Sequence, residues 1–149
     1  MYPYISQVDS DHSLPKNADV VIIGGGIVGV CTAYFLAERG VSVVLVEKSG
    51  IAHEQSSRNW GWVRISRRDP RELPLMAQAL PLWDGLAARI GKDVGYTRAG
   101  ILFTCADDQS YEEHERWKRN LDDYPVSARM VSGAELGSLL PEVNRLQVK

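Results

Sequence analysis

Residues 18–48 read ADVVIIGGGIVGVCTAYFLAERGVSVVLVEK, and no other stretch constrains the fold as strongly. Residues 20–23 form a short apolar run of the kind a buried parallel strand uses. Gly24-x-Gly26-x-x-Gly29 follows at once. Ile27, Cys31, Tyr34 and Phe35 then recur at helical spacing, and Gly40 stands where a C-cap glycine ends a helix. A second apolar run, residues 41–46, leads into Glu47. Strand, glycine turn, helix, strand and acid is the order of a dinucleotide-binding βαβ unit.

Each residue type has a physical task in that unit. Gly24 permits the tight turn off the first strand. Gly26 lacks a Cβ, so a pyrophosphate can approach the backbone, and Gly29 lets the helix pack closely on the strands. Ile27 opens the helix, whose first-turn N–H groups and dipole bind phosphate oxygens. Glu47, with Lys48 beside it, lies 18 residues beyond Gly29, near the usual offset for the acid that accepts from the adenosine ribose. A carboxylate there repels a 2′-phosphate and disfavours NADP. FAD and NAD share the ADP half, so the fingerprint leaves both open.

At 149 residues the chain has the length of about one domain. A hydrophobic content of 44% and a net charge of −2 describe an ordinary globular composition with no electrostatic case for nucleic acid or an anionic membrane. Residues 1–17 are polar, without a basic start or an apolar core, and are expected to be a flexible lead-in rather than a targeting segment. Cys31 and Cys105 have no metal or redox spacing, so a reducing cytoplasm is the expected compartment. Residues 20–31 are too short and glycine-rich to span a membrane.

Residues 49–68 read SGIAHEQSSRNWGWVRISRR and predict a loop. It leaves the carboxyl edge of the second strand, where such folds bind ligands. Ser56, Ser57 and Asn59 are candidate donors to phosphate or ribose, with Arg58 among them, and Gly61 permits close backbone approach. Trp60 and Trp62 either cover a flat ring system or simply pack. Arg64, Arg67, Arg68 and Arg71 either steer a carboxylate-bearing substrate or form a solvated basic stretch, and the second reading is preferred.

The glycine fingerprint together with Ser56-Ser57-Arg58-Asn59-Trp60-Gly61-Trp62-Val63-Arg64 resembles the FAD-dependent amine and amino-acid oxidoreductases. This superfamily includes D-amino-acid, glycine and sarcosine oxidases, and the loop looks nearest its bacterial opine-oxidase and sarcosine-oxidase-like branch. The resemblance implies that FAD is the cofactor. It implies that Gly24, Gly26, Gly29 and Glu47 hold the ADP half, while Ser56, Ser57 and Asn59 hold the pyrophosphate and approach the flavin. It implies oxidation of the C–N bond of an amino acid, opine or secondary amine. Catalytic residues remain unknown, and no metal is expected. The alternatives are an NAD-dependent dehydrogenase and a non-catalytic nucleotide-binding subunit or remnant.

Beyond the loop, Asp69-Pro70-Arg71-Glu72 reads as a helix start, and Leu75, Ala79, Leu82, Leu86 and Ile90 recur at helical spacing. Pro81 is expected to kink that helix. Residues 101–104 and 126–131 predict strands. Between them Asp107 or Asp108 caps a helix running to about residue 123, with Tyr111, His114, Trp117, Leu121 and Tyr124 inward. Glu112, Glu115, Arg116 and Arg119 mark its solvated face. Ser132 and Glu135 form a capping box for a short helix that Pro141 closes, and residues 143–149 read as the start of a new extended segment.

The expected architecture is α/β. Residues 1–17 form the lead-in. Residues 18–68 form a Rossmann-type FAD-binding βαβ unit with an incomplete parallel sheet. Residues 69–149 form a helical connection into the start of a mixed α+β substrate domain, apparently truncated. A small-molecule amine or amino acid is the expected partner, with a partner subunit or complementing C-terminal fragment as a further one.

Overall fold

The computed structural model describes residues 5–141, so the segment expected at residues 143–149 lies outside the described residues. The described chain falls into two compact units that divide between Trp62 and Val63. Residues 5–17 carry no helix or strand.

The first unit is the predicted βαβ. Strand β1 (Val20–Ile23) leads through the glycine turn into helix α1 (Ile27–Ala37) and then strand β2 (Val43–Val46). The strands are parallel, with Val20 opposite Val43 and Ile23 opposite Val46. Gly40 does end the helical path: at φ +76 its N–H donates to the Ala37 carbonyl, and the Val41 N–H reaches back to Leu36. Only glycine takes that backbone angle without strain.

One expectation fails here. The first strand was expected to be buried, yet Val21 and Ile23 are 60% and 88% exposed. Its side chains alternate between faces, and the helix covers only the face that carries Val20 and Ile22. Among the described residues the sheet has two strands.

The second unit is helical. Asp69 caps a single 3-10 turn at Pro70–Glu72, accepting from the Arg71 N–H, and helix α2 (Leu73–Ile90) follows directly. Pro74 sits in its first turn, and Gly91 at φ +72 closes it. The helix runs from Leu73 to Ile90 with the exposed Pro81 inside it.

The stripe expected on this helix faces outward at positions along its whole length, and Ile90 in the last turn is 42% exposed. Leu75 is 70% exposed and Leu82 46%, whereas Leu73 is 1% exposed. Leu73, Met76, Ala77 and Leu80 form the inward stripe instead, packing with Ile65 and Leu121. These positions also satisfy helical periodicity, so spacing alone could not choose between two apolar stripes.

Helix α3 (Asp108–Lys118) opens on a full capping box between Asp107 and Ser110. A 3-10 turn at Arg119–Leu121 extends it and buries Leu121. Trp117, Leu121 and Tyr124 join the core as expected, while Tyr111 is exposed. The Trp117 indole N–H donates to the Arg68 carbonyl at 2.8 Å, which ties the helix to the incoming loop. Glu112, Glu115, Arg116 and Arg119 are exposed. Helix α4 (Gly133–Leu139) starts at Ser132, whose hydroxyl accepts from the Glu135 N–H, and ends before Pro141. The Glu135 carboxylate pairs with Arg129.

The two strands expected at residues 101–104 and 126–131 do not form. A strand is defined by its ladder, and no described segment hydrogen-bonds to either as a neighbour. No helix among the described residues is long and apolar enough to cross a membrane.

The two stripes of α2 predict opposite mutational costs. Leu73→Ala should destabilise the protein by about 2–5 kcal/mol, as for other leucines deleted from a core. Leu75→Ala should change stability by less than about 0.5 kcal/mol. Urea unfolding followed by tryptophan fluorescence measures both. Equal costs would contradict the inward stripe described here.

Candidate functional site

The glycine turn is built by close approach. A Cβ on Gly29 would lie 2.0 Å from the Gly24 carbonyl oxygen and 3.3 Å from the Ile22 side chain. Backbone cannot yield as a side chain end can, so α1 sits against β1 only because residue 29 has no side chain. Gly24 turns at φ +108, and its N–H donates to the Val46 carbonyl at 2.8 Å, one residue past the ladder.

The start of α1 lacks a local cap. Gly26 is its N-cap residue and has no side chain to offer. The Ile27 N–H is instead satisfied from a distance by Ser56, whose hydroxyl oxygen accepts at 2.8 Å. A Cβ on Gly26 would meet that same oxygen at 3.1 Å. Ile23, Gly24, Gly26, Ile27, Ser56 and Asn59 contribute to the wall of an open cleft of about 500 Å³. The cleft therefore holds the features that bind phosphate: a helix N-terminus, backbone N–H groups and room made by absent side chains.

Glu47 lies behind the turn. Its Oε2 accepts from the Gly25 N–H at 2.7 Å, and its Oε1 accepts from the Ser49 N–H at 3.0 Å. These donors, Gly25 first, hold the carboxyl below the usual carboxylate range. Gly25 itself is buried, and a Cβ there would meet the Ile51 methyl at 2.5 Å. Sequence reasoning missed Gly25. Its only signal is being the middle of three consecutive glycines, a position to which the fingerprint assigns no task.

The other candidates serve the loop itself. The Asn59 amide donates to the Ser56 carbonyl at 2.7 Å, and its Oδ1 accepts from the Gly61 N–H at 2.6 Å. The Ser57 hydroxyl donates to the Glu54 carbonyl. Glu54 also faces Arg58 at 3.2 Å and Lys48 at 3.9 Å. Gly61 turns at φ +70 between Trp60 and Trp62, whose rings meet edge to face at 5.2 Å. Thus Gly24, Gly26, Ile27, Gly29, Ser56 and Asn59 converge at the cleft. Lys48, Ser57, Arg58 and Gly61 shape the loop.

The arginines are mostly engaged within their own segment. Arg71 pairs with Asp69, Arg68 with Glu72, and Arg64 donates to the Ser66 carbonyl while lying over the Phe103 ring. The Arg71 side chain holds the Asp69 carboxyl down to about 2. Burial pushes the Cys31 thiol up, away from reactive thiolate character, as a small hydrophobe in a helix face requires.

The sequence profile for FAD dependent oxidoreductases matches residues 19–148. The chain belongs to that family. FAD is the family's cofactor, and the NAD alternative is displaced. Mouse sarcosine dehydrogenase is 31% identical over 133 residues, covering 88% of this chain and 14% of the relative. N-methyl-L-tryptophan oxidase of Yersinia pestis is 28% identical over 112 residues, covering 72% of this chain and 30% of the relative. A solved L-amino acid deaminase from Proteus vulgaris superimposes with a TM-score of 0.81 at 35% identity, covering 88% of this chain and 36% of that one. The chain therefore spans a minor part of each relative's length.

Two outcomes test the turn. Gly29→Ala should lose FAD binding and unfold more readily, because its methyl cannot coexist with the Gly24 carbonyl. Calorimetry with FAD and thermal unfolding measure this, and wild-type values for both would contradict the packing. The depressed Glu47 carboxyl also sets a pH dependence. A group with a lowered folded pKa contributes stability that is present above its unfolded pKa and lost as pH falls through the folded value. The Gly25 amide resonance should therefore move only below the usual carboxylate range, and Glu47→Gln should abolish that titration. A midpoint at or above the ordinary glutamate value would contradict the assignment.

Proposed function

We propose that this chain provides the ADP-binding part of an FAD-dependent enzyme that oxidises the C–N bond of an amino acid, opine or secondary amine. The observation that carries the reading is the family match laid over the glycine turn, with the Ile27 N–H at its rim and Glu47 behind it. The relatives are named for sarcosine, N-methyl-L-tryptophan and L-amino acids, and that supports a substrate of this class.

The residues fit the cofactor. Gly24 and Gly26 leave space for a pyrophosphate, the first turn of α1 supplies donors, and Ser56 can exchange its acceptor role at Ile27 for a donor role toward a phosphate oxygen. Glu47 retains acceptor capacity for ribose hydroxyls, since a carboxylate offers about four lone-pair sites. Bound FAD would supply the redox chemistry, as the hydride acceptor for oxidation of a C–N bond. The protein's part is to hold the dinucleotide, while Trp60 and Trp62 stand on the loop that leads away from the pyrophosphate.

The same reading holds that these 149 residues need a further polypeptide to make a working enzyme. Val21 and Ile23 present an exposed apolar face on a two-stranded sheet, and parallel sheets are stable when covered on both faces. The relatives' far greater length agrees with this.

Expression of the chain alone tests the reading. FAD affinity is measured by fluorescence quenching, and flavin bleaching and hydrogen peroxide release are assayed with amino acids, N-methyl amino acids and opines. Weak FAD binding without turnover is expected, with both gained when a complementing segment is supplied. Tight stoichiometric FAD with turnover from the chain alone would contradict the need for a partner segment. FAD loading with no bleaching by any amine, even after complementation, would favour a non-catalytic nucleotide-binding subunit.

A further inference from the structure

We propose that Glu47 is a positioning residue for the pyrophosphate, acting through the Gly25 N–H, in addition to any contact with the ribose. This rests on the reading of the turn as the cofactor's cradle. Three consecutive glycines have more backbone freedom than any other tripeptide, so the turn needs an external restraint to hold one conformation. The restraint is visible. Gly25 is buried, and both of its backbone polar groups bond to residues 47–52. Its N–H donates to Glu47 Oε2 at 2.7 Å, and its carbonyl accepts from the Ala52 N–H at 2.9 Å.

The carboxylate is itself fixed. Glu47 Oε1 accepts from the Ser49 N–H at 3.0 Å, so the group cannot rotate away from Gly25 without breaking a second bond. Ile51 closes the space over Gly25, its methyl 2.5 Å from where a Cβ would stand. Ala52 makes its bond from φ +62, a backbone region that alanine enters only at a cost. A segment that accepts this cost to reach the Gly25 carbonyl acts as a clamp on the turn. Removing the carboxylate leaves a buried N–H without its acceptor, and the turn then has reason to reorganise. Gly26 and Ile27, which face the cleft, follow Gly25 directly in the chain and move with it.

The test uses the 149-residue chain as wild type, Glu47→Ala and Glu47→Gln. The probe is inorganic pyrophosphate, which has no ribose. Hydrogen exchange of peptides covering the turn is read by mass spectrometry without ligand, with peptides of α2 as the internal reference. The clamp predicts that Glu47→Ala speeds exchange in the turn by about tenfold or more, the loss of a hydrogen bond to a charged acceptor, while α2 is unchanged. Pyrophosphate affinity should fall with it. Glu47→Gln keeps an acceptor oxygen and should stay near wild type in both readouts. Wild-type exchange and wild-type pyrophosphate affinity in Glu47→Ala, with only ADP binding weakened, would overturn the proposal and leave Glu47 as a ribose ligand alone. If Glu47→Ala loses protection in α2 as well, Glu47→Gln decides. Protection of its turn upholds the clamp, and loss there overturns it. The exchange comparison needs no cofactor, so the clamp can fail while the FAD reading stands. FAD binding by the wild type tests that reading separately.

Discussion

The contact between Gly29 and the Gly24 carbonyl governs the first unit. With no Cβ at residue 29, α1 lies against β1 closely enough that a methyl there would stand 2.0 Å from a backbone oxygen. That approach brings the N-terminus of the helix directly over the end of the strand. The first turn of the helix then opens on the cleft rather than on bulk solvent. A helix held one side chain further away would form equally well, but its dipole would no longer meet a ligand lying across the strand end.

The second layer of the site keeps that N-terminus available. Gly26 cannot cap the helix, so the cap comes from Ser56, twenty-nine residues along the chain by the spacing of the bond. Ser56 is in turn held by a loop that Asn59 ties together through Gln55, Ser56 and Gly61. Glu47 binds the turn from the opposite side. The geometry of the turn thus depends on residues spread over 24–61, although the fingerprint itself ends at residue 29. A family whose members share FAD and differ in substrate can keep this arrangement constant while the chemistry at the substrate varies elsewhere.

Much of this was legible in the residues. Strand, glycine turn, helix and second strand stand where the spacing places them, because each element's period and terminating glycine agree locally. The Glu47 carboxylate stands behind the glycine turn, and its hydrogen bond to Gly25 was not foreseen, since it depends on the fold of residues 48–52. Ser56, Ser57 and Asn59 looked equivalent as polar loop residues. Only their backbone setting separates the hydroxyl that meets α1 from the groups that bond within the loop. The strands expected at 101–104 and 126–131 failed for a different reason. Apolar, β-branched composition expresses a preference for a pleated neighbour, and composition cannot report whether that neighbour is present. On α2 the apolar residues surround too much of the helix for periodicity to select Leu73 over Leu75.

The central claim is that the dinucleotide lies across residues 24–29 and meets Ser56. The most direct measurement is an NMR titration of the isotope-labelled chain with FAD, following backbone amides. The account predicts that Gly24, Gly26, Ile27 and Gly29 shift together with Ser56, as the phosphate displaces the serine hydroxyl from the Ile27 N–H. Saturating FAD that leaves these amides in place, while shifting residues between 63 and 141, would contradict it.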